Sequence, residues 1–187
     1  MMPEETKRDR HLDPRAPFVL DAHELGRRPG ALQRITKSVP APSDFGLDVV
    51  GVPTGSDIEL DLRLESVVEG VLVSGTARAS VTGECVRCLD PLDDEVEAGF
   101  QELYVYPDRD SDEETLRLEG DLLDLEPAVR DAVVLALPLQ PLCREDCPGL
   151  CPECGFRLVE DRAHRHETVD PRWAVLRGVV RPEQRGG

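Results

Sequence analysis

Four of the six cysteines in this 187-residue chain lie within twelve residues, as Cys143-Arg-Glu-Asp-Cys147-Pro-Gly-Leu-Cys151-Pro-Glu-Cys154-Gly155. Two thiolates three positions apart can chelate one ion while the backbone amides between them turn toward sulfur, and Gly155 directly after the pair permits the tight turn. Four soft sulfur ligands match a tetrahedral, closed and therefore structural Zn2+ site, and the spacing differs from that of ferredoxin clusters. The expected ligand set is Cys143, Cys147, Cys151 and Cys154. Two alternatives stay open. Cys85-Val-Arg-Cys88 has the same internal spacing and could form a two-knuckle site with Cys151 and Cys154. His164-Arg-His166 follows ten residues after the knuckle and could replace one or two sulfurs.

Other chemistry finds little support. A redox pair at Cys85 and Cys88 would follow a strand and open a helix, whereas Pro91 and a further strand come next. The chain has no G-x-S-x-G, phosphate-binding loop or dinucleotide fingerprint, and nothing in it places two carboxylates in one pocket. His11 and His23 read as surface or capping residues. We expect no catalytic residues, no enzyme activity and no small-molecule substrate.

The balance of 22 Lys and Arg against 38 Asp and Glu gives a formal net charge of −16. A protein that binds nucleic acid over its whole surface carries the opposite sign, so any RNA contact must be local or made through a basic partner. The charge is unevenly spread. Residues 1–40 and 157–187 are each positive by two, whereas residues 84–131 hold 17 acids against four arginines. That acidic middle reads either as a solvated face or as a docking surface for a basic protein. No apolar run approaches the ~18 residues of a membrane span, and no apolar stretch follows the charged N-terminus as in a secretory signal. The expected location is the cytoplasm, where thiols stay reduced and bind metal rather than pair as disulfides.

The elements that must position the thiols come next. Phe18-Val-Leu20 reads as a short strand, Asp21 to Glu24 as the start of a short helix ended by Pro29-Gly30, and Val39 to Gly55 as a loop-rich link. Ile58, Leu60, Leu62 and Leu64 alternate with polar residues, as do Val71, Val73, Gly75, Ala77, Ala79 and Val81 after a turn at Gly70. Residues 96–106 make a third strand, completing an antiparallel meander. Gly75 and Gly83 fit either bulges or weak strand interiors. Asp108 to Glu114 is an acidic loop. Leu125, Val129, Ala132, Val133, Ala136 and Leu137 have helical spacing, with Asp124 as cap and Pro127 in the first turn; Pro138 and Pro141 stop the helix. A last helix begins at Asp170-Pro171, with Trp173, Leu176 and Val180 on one face. The expected fold class is α+β: an antiparallel sheet with helices packed to one side and a small C-terminal zinc lobe. We divide it into a disordered tail (1–15), an α+β domain (16–142), a zinc-knuckle lobe with its helix in the same domain (143–181) and a second disordered tail (182–187).

The residues Gly83-Glu-Cys85-Val-Arg87-Cys88-Leu-Asp-Pro91, Phe100-Gln-Glu102 and Gly120-Asp-Leu-Leu-Asp-Leu125 resemble the bacterial YceD family, the large ribosomal RNA subunit accumulation proteins. So do Ala136-Leu-Pro138 up to Cys143, Gly149-Leu-Cys151-Pro-Glu-Cys154-Gly155 and Asp170-Pro171-Arg172, so that the likeness runs from about Phe18 to Val180. The resemblance implies a role in producing or maintaining 23S ribosomal RNA during precursor processing or subunit assembly, and it implies no catalytic residues. Implied partners are a large-subunit rRNA precursor or pre-ribosomal particle, with a basic ribosomal protein as a candidate contact. Family members with the knuckle often carry a C-x-C downstream where this chain has His164-Arg-His166, and both residue types bind zinc. The competing expectation is a zinc-responsive protein-interaction module unrelated to ribosome assembly.

Overall fold

Alternating burial over residues 57–105 builds the body of the protein, which a computed structural model describes at residues 11–107 and 115–166. Ile58, Leu60, Leu62 and Leu64 of β5 (Asp57–Ser66) are at most 1% exposed, while Glu59, Asp61 and Arg63 between them face solvent. β6 (Gly70–Glu84) repeats the pattern with Val71, Val73, Ala77, Ala79 and Val81 turned inward. β7 (Pro91–Val105) adds Val96, Ala98 and Tyr104 to the same face.

β6 is the centre of this antiparallel sheet. β7 pairs with one edge of it without interruption, from Gly70↔Val105 to Glu84↔Pro91. On its other edge β6 pairs first with β5 and then, at Thr82 and Gly83, with β4 (Val50–Gly51). β4 forms a small hairpin with β3 (Gly46–Leu47), and β2 (Leu32–Pro40) lies outside β5. A separate two-stranded ladder joins β1 (Val19–Asp21) to β8 (Leu122–Asp124). The helix α1 (Glu126–Ala136) follows directly and buries Ala128, Val129 and Val133 against the sheet. At about 2 kcal/mol per fully buried aliphatic side chain, the inward residues of β5 and β6 are a substantial part of a core that also draws on β1, β7, β8 and α1.

The meander and α1 match the sequence expectation; several details differ. The described residues contain one helix, so the sheet with several packed helices reduces to a mostly antiparallel β fold with a single short helix. The helix expected at 170–180 and the acidic loop at 108–114 lie outside the described residues. Asp21 ends β1 and His23 to Arg27 form turns: the Asp21 carboxylate accepts the His23 N–H at 2.8 Å, and Gly26 takes a φ of 60°. With Pro29 so close, too few residues remain to repay helix nucleation. Part of the loop-rich link is ordered as the end of β2 and the β3–β4 hairpin. β2 escapes the alternation test because only Val39 in it is fully buried. Gly75 and Gly83 sit in the unbroken ladder, where an added Cβ would strike the carbonyl oxygen of Asp61 or Val49. Leu125, rather than Asp124, is the residue at the helix cap; Asp124 still serves the first turn by accepting the Glu126 N–H at 2.9 Å.

β7 is an edge strand, and its exposed residues include Asp93, Asp94, Glu95, Glu97 and Glu102. Charge on an unpaired edge opposes strand-to-strand aggregation. Five of the 17 acids in the acidic middle of the sequence are thus placed on this edge strand.

Candidate metal centres

The unbroken β6–β7 ladder leaves residues 85–90 to close the hairpin, and these carry Cys85 and Cys88. The Cys85 N–H donates to the Asp90 carbonyl and the Leu89 N–H to the Cys85 carbonyl, both at 2.8 Å. Leu89 takes a left-handed φ of 60°, the conformation that closes this knuckle. Two further thiols arrive from the segment after α1. The Val86 N–H donates to the Pro141 carbonyl at 3.0 Å, and the Arg87 guanidinium donates to the Cys147 carbonyl at 3.0 Å. Cys143 and Cys147 are thereby laid over the hairpin end. The Cys85 and Cys147 sulfurs are 3.9 Å apart, and those of Cys88 and Cys143 are 3.6 Å apart. A tetrahedral Zn2+ with ~2.3 Å bonds to sulfur requires S···S edges of roughly 3.8 Å.

A second centre lies farther along the chain. Cys151 and Cys154 form a knuckle with the same internal geometry: the Gly155 N–H donates to the Cys151 carbonyl at 2.8 Å, and Gly155 has a φ of 72°. The chain returns through a turn at Asp161 and brings both imidazoles back. His164 Nε2 and His166 Nε2 stand 3.3 and 3.2 Å from the Cys154 sulfur and 2.9 Å from each other. Phe156 stacks on the His164 ring at 4.5 Å, and the Glu153 carboxylate lies 3.7 Å from His166 Nδ1. A carboxylate behind the ring orients a ligating histidine, leaving Nε2 for the metal. In each centre the four donor atoms lie within 4.8 Å of one another.

Residues 73–179, more than half of the chain, match the family described as large ribosomal RNA subunit accumulation protein YceD. The chain belongs to the YceD family. It is 46% identical over 173 residues to an uncharacterized protein of Mycobacterium tuberculosis, Rv2926c, covering 90% of this chain and 84% of that protein. Similarity to an uncharacterized protein of Mycobacterium leprae, ML1660, is 42% over 179 residues, covering 93% and 82%. The Bacillus subtilis protein YlbN is 26% identical over 113 residues, covering 56% and 65%. No solved structure matches.

In this YceD-family chain the expected quartet of Cys143, Cys147, Cys151 and Cys154 is divided between two centres. Cys143 and Cys147 join Cys85 and Cys88, while Cys151 and Cys154 join His164 and His166. The physical reason is the Pro148-Gly149-Leu150 spacer. The Leu150 N–H is tied to the Arg87 carbonyl at 3.0 Å, which carries the chain from one knuckle to the other. Every residue weighed as an alternative ligand lies in one of the two clusters. The signal available in the sequence was arithmetic: six cysteines and two histidines make two complete tetrahedral sets. His11 and His23 stand apart from both; His23 Nδ1 is 3.0 Å from the Asp121 carboxylate, which raises its pKa.

The electrostatics prepare each centre for a cation. Burial pushes the Cys85 thiol up, but backbone N–H groups of Cys143, Arg87 and Cys88 outweigh it and lower the pKa to about 6. Backbone N–H groups of Glu153 and Cys154 lower Cys151 to about 6 as well, against the opposing effect of burial. In each knuckle the backbone N–H groups thus favour the thiolate form of one cysteine. The donor sets, four thiolates in one centre and two thiolates with two imidazoles in the other, are both zinc sets. Among the described residues, Cys85, Cys88 and Cys147 form a small buried cluster of their own, with Leu92 and Leu142 beside it. A lobe whose buried residues are largely these sulfurs has little apolar core of its own.

Proposed function

We propose that this protein is a non-enzymatic, zinc-stabilised factor that supports 23S ribosomal RNA accumulation by acting during precursor processing or large-subunit assembly. The observation that carries the reading is the family match over residues 73–179. The donor sets support it further. Each would give Zn2+ four protein ligands and no open position, which is the pattern of structural and not hydrolytic zinc. Zn2+ would be held by Cys85, Cys88, Cys143 and Cys147 in one centre and by Cys151, Cys154, His164 and His166 in the other. The chemistry supplied is cohesion of the lobe. The partners we assign are a large-subunit rRNA precursor or pre-ribosomal particle, with the acids of β7 facing a basic ribosomal protein. None of the described residues forms a helix long and apolar enough to cross a membrane; we place the protein's work in the cytoplasm.

Depletion in cells tests the proposal. Mature 23S rRNA should fall relative to 16S, with accumulation of large-subunit precursors. Unchanged levels and precursor profiles after depletion would overturn it. The exposure of Cys154 and His166 favours a second reading, a zinc-responsive interaction module. That reading requires partner binding to change as zinc is exchanged under conditions that leave the sheet folded.

A further inference from the structure

The two centres meet in one five-residue segment. Cys147 ends one ligand set, Cys151 begins the other, and Pro148-Gly149-Leu150 is all that separates them. That segment is fastened to the first centre. Leu150 N–H donates to the carbonyl of Arg87, which lies inside the Cys85–Cys88 knuckle, and the Arg87 side chain donates to the Cys147 carbonyl. It is fastened equally to the second centre: Leu150 pairs with Arg157, and the Leu158 N–H donates to the Gly149 carbonyl at 3.1 Å. A charged strut completes the frame, since the Arg157 guanidinium binds the carboxylate of Asp90. Asp90 in turn accepts the Cys85 N–H through its backbone carbonyl.

We infer that the two centres are one cooperative metal-binding unit, in which the four-cysteine centre fills first and its occupancy raises the affinity of the Cys2His2 centre. This rests on the reading of both clusters as zinc centres. The order follows from where each ligand set is anchored. Cys143 is exposed, but Cys85, Cys88 and Cys147 are buried, and Cys85 and Cys88 stand on the end of the longest hairpin of the sheet. The outer set comes from residues 151–166 alone, and Cys154 and His166 are exposed. Its attachment to the body runs through Leu150, Gly149 and two ion pairs, Arg157–Asp90 and the more exposed Arg162–Asp146 at 3.2 Å. An ion in the four-cysteine centre holds Arg87, Asp90 and Cys147 in place, and these are the groups that position Cys151 and Arg157. Coupling between binding sites is reciprocal, so each ion must strengthen the other by the same factor.

The test is titration of the reduced, metal-free full chain with Co2+ and then Zn2+, following visible absorption. Four-thiolate and two-thiolate, two-imidazole sites give distinguishable spectra. The expected course is two equivalents in sequence, the four-thiolate spectrum first. Arg157→Ala and Asp90→Asn leave all eight ligands intact; each should weaken the second equivalent on the order of tenfold, a common size for coupling between sites. His164→Ala combined with His166→Ala should abolish the second equivalent and weaken the first by a similar factor, with the sheet's far-ultraviolet circular dichroism unchanged. Two equivalents whose affinities ignore Arg157→Ala and Asp90→Asn would overturn the coupling while leaving the zinc reading intact. The reverse order of filling would overturn the assignment of the first centre. Fewer than two equivalents in the parent chain would overturn the zinc reading, and the coupling with it.

Discussion

Replacing Gly149 with alanine should damage the protein more than the same change at Gly155, although both glycines have nearly the same backbone conformation. Gly149 has a φ of 78° and Gly155 a φ of 72°. An L-residue in that region costs about 1–2 kcal/mol, which is common to both positions. Alanine's smaller loss of unfolded-state entropy returns roughly 0.4–1 kcal/mol, again common to both. The surroundings differ. A Cβ at Gly155 would meet nothing within 4 Å, whereas one at Gly149 would lie 2.9 Å from the Arg87 carbonyl oxygen and 3.2 Å from the Arg87 Cβ. The first of these is a backbone atom that already accepts the Leu150 N–H, so relief of the clash must stretch or break that bond. A lost hydrogen bond adds about 1 kcal/mol and the displaced backbone somewhat more. The expected difference between the variants is therefore about 1–2 kcal/mol, most of it in the packing of the two knuckles. Denaturant unfolding of both zinc-loaded variants, compared at equal m-values, measures it directly. Equal midpoints for Gly149→Ala and Gly155→Ala would refute the claim that the Arg87–Leu150 contact locks the knuckles together.

Three further outcomes follow from the same geometry. Leu89 occupies in the first knuckle the left-handed position that Gly155 occupies in the second, and it is 61% exposed. Leu89→Gly should accordingly be neutral or stabilising by up to ~1 kcal/mol in thermal unfolding, because relief of strain exceeds the glycine entropy cost; a clear loss of stability would contradict the strained-knuckle reading. In the reduced, metal-free protein the ultraviolet thiolate signal should show a group titrating at about pH 6, from Cys85 and Cys151. Because both pKa values are depressed below the ordinary thiol value of 9.0, their contribution to stability is complete above about pH 9 and is lost as pH falls through about 6; a titration confined to pH 8 and above would contradict it. Leu64→Ala, at a fully buried position in β5, should cost about 2–5 kcal/mol in denaturant unfolding without changing metal stoichiometry. A change in stoichiometry would mean that sheet and lobe are not separable.

β5 and β6 were the most legible strands in the sequence, whereas β7, which borders the site, begins at Pro91 and not at the expected residue 96. In β5 and β6 one face is fully buried and the other wet, so the period of two is clean; Ile58 to Leu64 and Val71 to Val81 reveal it directly. β2 was hidden by its position: an edge strand with one buried residue leaves no alternation to read. The short ladder of β1 and β8 joins residues about a hundred positions apart, and nothing local marks such a pairing. The site followed the same rule. Each C-x-x-C pair was visible because a knuckle is a local device, set by spacing and a left-handed residue. Which pairs are brought together depends on the β6–β7 ladder carrying Cys85 and Cys88 under Cys143 and Cys147, a contact between segments more than fifty residues apart. Grouping the nearest four cysteines assumed that proximity in sequence decides the set. Pro148-Gly149-Leu150 shows why it does not: a three-residue spacer locked to Arg87 hands the chain from one centre to the next.

The most direct test of the account is the metal content of the intact chain, purified under reducing conditions without chelator and weighed by native mass spectrometry alongside elemental analysis. The two complete donor sets require two Zn2+ per chain, with all six thiols protected from alkylation until a strong chelator is added. A single ion, or none with freely reacting thiols, would contradict it.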